Sequence, residues 1–175
     1  MAQFANPKNL LRVSKAKRHE IDRWKEGLYL ERETGRTLQE LVDRAAADRL
    51  LLATSLLRDA ERLAADSPPL YRAAVSRSYY AMYHAMRAAA FVFHGGDDHQ
   101  EHQTLPGKAP DDMQTRDLWS NKLKDARERR NAADYDPYPK SETAWRRPAI
   151  DLVAEAGRFV GEVRTYLRAK GCRFL

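Results

Sequence analysis

TLQELVDRAAADRLLLATSLLRDAERLAADSPP, residues 37–69, decides the fold. Thr37 with Glu40 three residues on is a capping box, the reciprocal pairing that starts a helix. Behind it Leu38, Leu41, Ala45, Leu52, Leu56, Ala60 and Leu63 trace one helical face, and Pro68-Pro69 stops the run. The segment is close to 30 residues, or about 45 Å at 1.5 Å per residue. A helix that long must lay its apolar face on neighbours, and the rest of the chain supplies them. One helix is expected over 70–93, ended by Gly95-Gly96-Asp97-Asp98, with a long loop from Gly95 to Pro110. Another starts at Asp111 and Asp112, which suit the positive end of a helix dipole, and stops at the Asp-Pro-Tyr-Pro of 136–139. Ser141 opens the last. Ala149, Val153, Ala156, Val160, Val163 and Leu167 repeat there every three or four residues, with Gly171 as the C-terminal cap.

Upstream, Asn6-Pro7 reads as a cap followed by proline in the first turn. Ile21, Trp24 and Leu28 then fall at helical spacing, so one basic amphipathic helix is expected over much of 7–33, broken at Gly35. No internal repeat, low-complexity tract or strand-like alternation interrupts the pattern. The expected architecture is all-α, a long-helix up-and-down bundle with an extra N-terminal helix. Residues 1–36 form a basic helical extension and 37–175 the bundle.

The 175 residues carry 31 Lys and Arg against 25 Asp and Glu, a net charge of +6. The excess is uneven, because residues 1–36 hold nine basic residues against five acidic ones. Such a balance points to an anionic partner, RNA or DNA first, without specifying which. Cys172 stands alone, which excludes a disulfide framework and a cysteine zinc site. The first 20 residues lack the apolar core of a signal peptide. The longest apolar run, AAAFVF at 88–93, is far short of the roughly 20 residues a bilayer requires. A cytoplasmic protein with no membrane association is expected.

ARERRNAADYDPY, residues 126–138, concentrates the chemistry. Trp119, Leu123 and Ala126 form an apolar stripe whose next position is Arg130, with Asp134 four residues later. The register that turns Trp119 and Leu123 inward therefore turns Arg130 inward, or into a cleft or interface. A buried guanidinium needs a partner. Asp134 can supply it within the chain, and a bound phosphate can supply it bidentately. Arg127 and Arg129 fall off the stripe and suit a last helical turn, where cations complement the dipole. Tyr135 and Tyr138 serve equally as packing residues.

RSYYAMYHAMRAAAF, residues 77–91, is the second unusual stretch. Tyr80, His84, Arg87 and Phe91 share one face, while Tyr79, Met82, Met86 and Ala90 share another that reads as core. His99 and His102 lie three apart beside Asp97, Asp98 and Glu101, but no second cluster completes a metal site. No metal or cofactor is expected.

Together and in this order, Arg77-Ser78-Tyr79-Tyr80-Ala81-Met82-Tyr83-His84-Ala85 and Arg130-Asn131-Ala132-Ala133-Asp134-Tyr135 resemble the HEPN superfamily, helical domains associated with prokaryotic nucleotidyltransferases. The resemblance covers about 37–170. Many members are metal-independent ribonucleases acting as toxins in toxin–antitoxin or other defence systems, with two copies of an Arg-Asn…His signature meeting in a dimer cleft. It implies a homodimer, an RNA substrate and a nucleotidyltransferase antitoxin as partner. Arg130 would hold the scissile phosphate, Asn131 would orient it, and Tyr135 stands where a catalytic His is usual. Arg127, Asp134, His84 and Arg77 would complete the substrate-binding set. No His follows His102, so this chain resembles a branch without that catalytic residue, in which His84 or His102 substitutes only if the fold, or a dimer partner, brings it within hydrogen-bond reach. The resemblance also marks Tyr135 and Tyr138 as candidates for nucleotidylation by the antitoxin. A catalytically silent module binding RNA, a nucleotide or the nucleotidyltransferase is the alternative, and a purely structural Arg130–Asp134 pair is the third reading.

Overall fold

Among the described residues there are six α-helices: α1 (Pro7–Lys15), α2 (Arg18–Thr34), α3 (Leu38–Ala65), α4 (Tyr71–His94), α5 (Arg116–Tyr135) and α6 (Arg146–Ala169). The computed structural model describes residues 6–175, apart from the side chain of Pro7; residues 1–5 of the basic extension lie outside the described residues. Among the described residues there is no strand, and no helix is long and apolar enough to cross a membrane. Two compact units are present, residues 1–41 and 42–175.

In the first unit, the single helix expected over 7–33 is two. Ala16 and Lys17 are extended, at ψ 137° and 158°. The Glu20 carboxylate accepts the Lys17 backbone N–H at 2.8 Å, so a side chain takes over a donor that a continuous helix would have used. Arg12 of α1 lies over the Trp24 ring of α2 at 5.5 Å. Gly35, at φ 63°, closes α2 as expected. The capping box also forms: Thr37 N–H donates to Glu40 at 2.9 Å, and Glu40 N–H to the Thr37 hydroxyl at 3.2 Å.

The second unit is the bundle. Contacts at the helix ends set its topology. Arg72 at the start of α4 reaches the end of α5, Tyr166 near the end of α6 reaches Asp112 before α5, and Asp43 near the start of α3 accepts from Cys172 beyond α6. Each of α4, α5 and α6 therefore runs opposite to the helix before it. α4 is central, with Tyr79, Met82, Met86 and Ala90 all in the core as their shared face required.

The face of α3 is rotated from the expected one. Ala46, Ala47, Leu50, Ala53 and Ala60 are buried, while Leu52 is 46% exposed and Leu51 61%. Ala46, Ala47 and Ala53 of α3 belong to one core cluster with Ala74, Ala81, Ala85, Ala88 and Ala89 of α4.

The segment between α4 and α5 also departs from expectation. It is not one open loop, because Leu105–Lys108 form a 3-10 turn and Leu105, Pro106, Ala109 and Met113 are buried. α5 begins at Arg116 rather than Asp111. Asp112 is taken instead by the Tyr166 hydroxyl (2.9 Å) and by Lys170, so its carboxylate is spent across the bundle. A 3-10 turn, Glu142–Trp145, likewise precedes α6. At the other end, Cys172 N–H donates to Leu167 O with Gly171 at φ 83°, the expected glycine cap.

Candidate functional site

On α5, Trp119, Leu123 and Ala126 are buried, and Arg130 follows them inward with its side chain only 16% exposed. Each of its nitrogens faces a partner. Nε is 2.9 Å from Asp134 Oδ2, Nη1 donates to Asn131 Oδ1 at 3.0 Å, and Nη2 donates to the Tyr80 hydroxyl. The guanidinium carbon lies 5.1 Å from the Tyr80 ring centre, 5.5 Å from Tyr135 and 5.8 Å from Tyr79. Burial works against its charge, but the Tyr80 hydroxyl and Asp134 outweigh that and hold its pKa above the ordinary arginine value.

Across the same two tyrosines stands His102. Its Nδ1 shares a hydrogen bond of 2.5 Å with the Tyr79 hydroxyl, and its ring stacks on Tyr83 at 4.2 Å and meets Tyr80 edge-on at 6.0 Å. Tyr79 is fully buried, and burial pushes its phenol far above the usual range, so it stays protonated. Burial lowers the His102 pKa, and the charges of Arg130, Arg127 and Arg87 lower it further. The imidazole is therefore neutral at pH 7.

His102 owes its place to a clamp on its loop. The Asp98 carboxylate accepts from Arg49 of α3 (2.5 Å) and from Arg87 of α4, and Arg87 Nε also donates to Asp98 O at 3.0 Å. Tyr83 donates its hydroxyl to Gln100 O at 2.6 Å. Two residues farther on, His102 drops onto the tyrosines.

A second device fixes the end of α5. Arg72 from α4 lies over Trp145 at 4.9 Å and donates to Ala133 O at 2.8 Å and to Asp136 O, carbonyls left open at the helix terminus. The cation that answers the dipole of α5 is thus Arg72. Arg127 and Arg129, expected in a last turn, stand earlier in the helix, which runs on to Tyr135 and has no basic residue in its last turn.

The structure gathers Asn131, Asp134 and Tyr135 around Arg130 as the candidate cleft, with Arg127 near enough for its charge to act on Tyr79 and His102. Tyr135 is 71% exposed there, and Asp134 also accepts from Ser76 at 3.3 Å. His84 sits behind it, edge-on to Tyr83 at 5.0 Å, with its pKa lowered to about 4, chiefly by burial and then by Arg87, so it is neutral at any physiological pH. Arg77 is not in the cleft. It lies beside Asp59, Arg62 and Leu63 of α3.

The family model of the HEPN domain matches residues 46–166. The chain belongs to the HEPN family. The match runs from the first buried alanine of α3 to Tyr166 and takes in every residue of the cleft. No curated protein matches the chain. Arg130, Asn131 and Tyr135 of this HEPN domain stand out in the sequence; Tyr79, Tyr80 and Tyr83 as the wall, and Asp98 and Arg87 as the anchor that delivers His102, do not. The shared face of Tyr80 and Arg87 was readable, but the path of a loop carrying few periodic residues was not.

Proposed function

We propose that this HEPN domain binds single-stranded RNA at the Arg130 cleft and cleaves it without a metal, with His102 in the acid/base role. The observation that carries the reading is the placement of His102 and Arg130 on the same pair of tyrosines, although 28 positions separate them in sequence. Arg130 binds the scissile phosphate and stabilises the charge that grows on it. His102 Nε2 takes the 2′-OH proton, in the tautomer whose Nδ1–H donates to Tyr79 Oη. The 2′-oxygen attacks phosphorus and the bond to the 5′-oxygen breaks; Tyr135 hydrogen-bonds that leaving oxygen, which takes its proton from solvent water, and His102 returns the 2′-OH proton to solvent. The products are a 2′,3′-cyclic phosphate and a 5′-hydroxyl. Exposed Tyr135 also offers a stacking surface for a base. The family resemblance supplies the setting: a homodimer, toxin-like, countered by a nucleotidyltransferase antitoxin.

The test is cleavage of a labelled single-stranded RNA in EDTA. His102→Ala is expected to lose about 10²–10⁴ in rate while keeping RNA affinity, and Arg130→Ala to lose both. Cleavage by His102→Ala at the wild-type rate refutes the assignment. A second reading, binding without turnover, is favoured by one observation: both Arg130 Nη atoms already donate within the chain and the guanidinium is ion-paired with Asp134, so RNA must displace Tyr80, Asn131 or Asp134. RNA bound tightly by wild type with no product would select it.

A further inference from the structure

A second cationic site lies on the faces of α3 and α6, sharing no residue with the Arg130 cleft. Arg44, Arg58, Arg164 and Arg168 converge on one cavity of about 320 Å³, whose apolar wall includes Leu51 and Phe174. Asp48 is the one acidic side chain among the lining residues, and it is committed to Arg44 at 3.0 Å. Arg164 has only the Thr54 hydroxyl, at 3.3 Å. Among the described residues neither Arg58 nor Arg168 has a carboxylate partner. The helix dipole accounts for Arg168, in the last turn of α6, but not for Arg58, about two turns inside α3.

Three guanidinium groups without counter-charges repel one another across a concave surface. A carboxylate would satisfy one of them, as Asp48 does for Arg44. A phosphate presents several oxygens and up to two charges, enough to engage more than one fork at once. Leu51 stands outside the packed face of α3, and Phe174, beyond α6, has Arg44 over its ring at 5.9 Å, so the two give an apolar surface beside the cations. The volume is at the lower end of small-ligand pockets.

We infer that this cavity binds a nucleoside 5′-phosphate, its phosphate held by Arg58, Arg164 and Arg168 and its base laid against Leu51 and Phe174. The ligand is either a free nucleotide or the 5′-phosphorylated end of an RNA strand. The inference does not depend on the reading of the Arg130 cleft.

The experiment is calorimetric titration of the full chain with ADP, with adenosine, and with a short oligonucleotide bearing either a 5′-phosphate or a 5′-hydroxyl. ADP or the phosphorylated strand is expected to bind at least tenfold tighter than its unphosphorylated counterpart. Arg58→Gln and Arg168→Gln, both at exposed positions, are expected to remove that preference singly or together, while Arg130→Ala keeps it. Circular dichroism of each variant separates a lost site from a lost fold, and Arg168→Lys, which keeps the charge, retains part of the preference. Which of the two ligands shows the larger preference identifies the source of the phosphate. Equal binding with and without phosphate overturns the inference, as does a preference abolished by Arg130→Ala but untouched by the glutamine variants.

Discussion

At the scale of single residues, the cleft is a competition for charge. His102 sits among Arg130, Arg127 and Arg87 and is held neutral by burial and by their fields, so its base form is already present at neutral pH. A depressed pKa places the loss of activity on the acid side. The cleavage rate is expected to rise through a point below the ordinary histidine value near 6.5 and to stay flat to about pH 8. Arg127→Ala removes one of the three cations, so that inflection should move upward with little change on the plateau; an unmoved profile would show that the titrating group is not His102. Tyr135→His is a second probe. The ring at 135 is exposed and 5.5 Å from the Arg130 carbon, so histidine is tolerated there, and cleavage at pH 7 is expected to increase at least tenfold, within the range of one added acid/base group. Arg130 itself was legible in the sequence because Trp119, Leu123 and Ala126 fix its register by local geometry. His102 was not, because its position depends on contacts between residues dozens of positions apart.

At the scale of elements, strong periodicity and caps translated directly. The capping box at Thr37, the glycine stops at Gly35, Gly95 and Gly171, and the inward stripe of α6 are all local devices, each resolved within about one turn. What failed were choices between local and distant partners. Glu20 splits the N-terminal helix, Asp112 is drawn to α6, and the alanine face of α3 packs in preference to its leucines. The Asp98 clamp is the same kind of long-range choice, and it can be tested. Asp98→Asn leaves Arg49 and Arg87, with side chains 23% and 14% exposed, without their carboxylate. A loss of about 1–3 kcal/mol in unfolding free energy is expected by chemical denaturation, with cleavage falling further than stability alone requires. The acid behaviour follows from the sign of the shift. Burial alone would raise the Asp98 pKa, but Arg87, Gln100 and Arg49 lower it overall, so its contribution is complete above the unfolded carboxylate value near 3.9 and fades as pH falls through the lower folded value. The ¹³C shift of the Asp98 carboxyl carbon should show its titration step only below about pH 4, separate from the imidazole steps of His99 and His102.

At the scale of the whole molecule, charge is distributed in three places with different expected duties. Residues 122–130 hold five basic residues against Asp125 and Glu128, the cavity of α3 and α6 holds four arginines, and residues 1–36 hold nine basic residues against five acidic. The first adjoins the group proposed to do chemistry, and the second shares no residue with it. The helices of the N-terminal unit present Lys15, Lys17 and Arg18 to solvent, and α2 has no buried residue, so among the described residues this charge is spread over the surface. Diffuse charge of that kind binds RNA by releasing counterions and carries no sequence or chemical preference. The expected signature is a separation of two readouts. Replacing Lys15, Lys17 and Arg18 by Gln should weaken RNA binding equally for all sequences and lower the slope of log K against log salt by roughly 2, at about 0.7 per phosphate contact on single strands, with the cleavage rate at saturating RNA unchanged. Arg130→Ala should change the slope by only roughly 0.7 and yet abolish turnover. An unchanged slope in the triple variant would mean that the N-terminal charge does not meet RNA at all, and a fall in its saturated rate would mean that this unit contributes to the chemistry rather than to encounter.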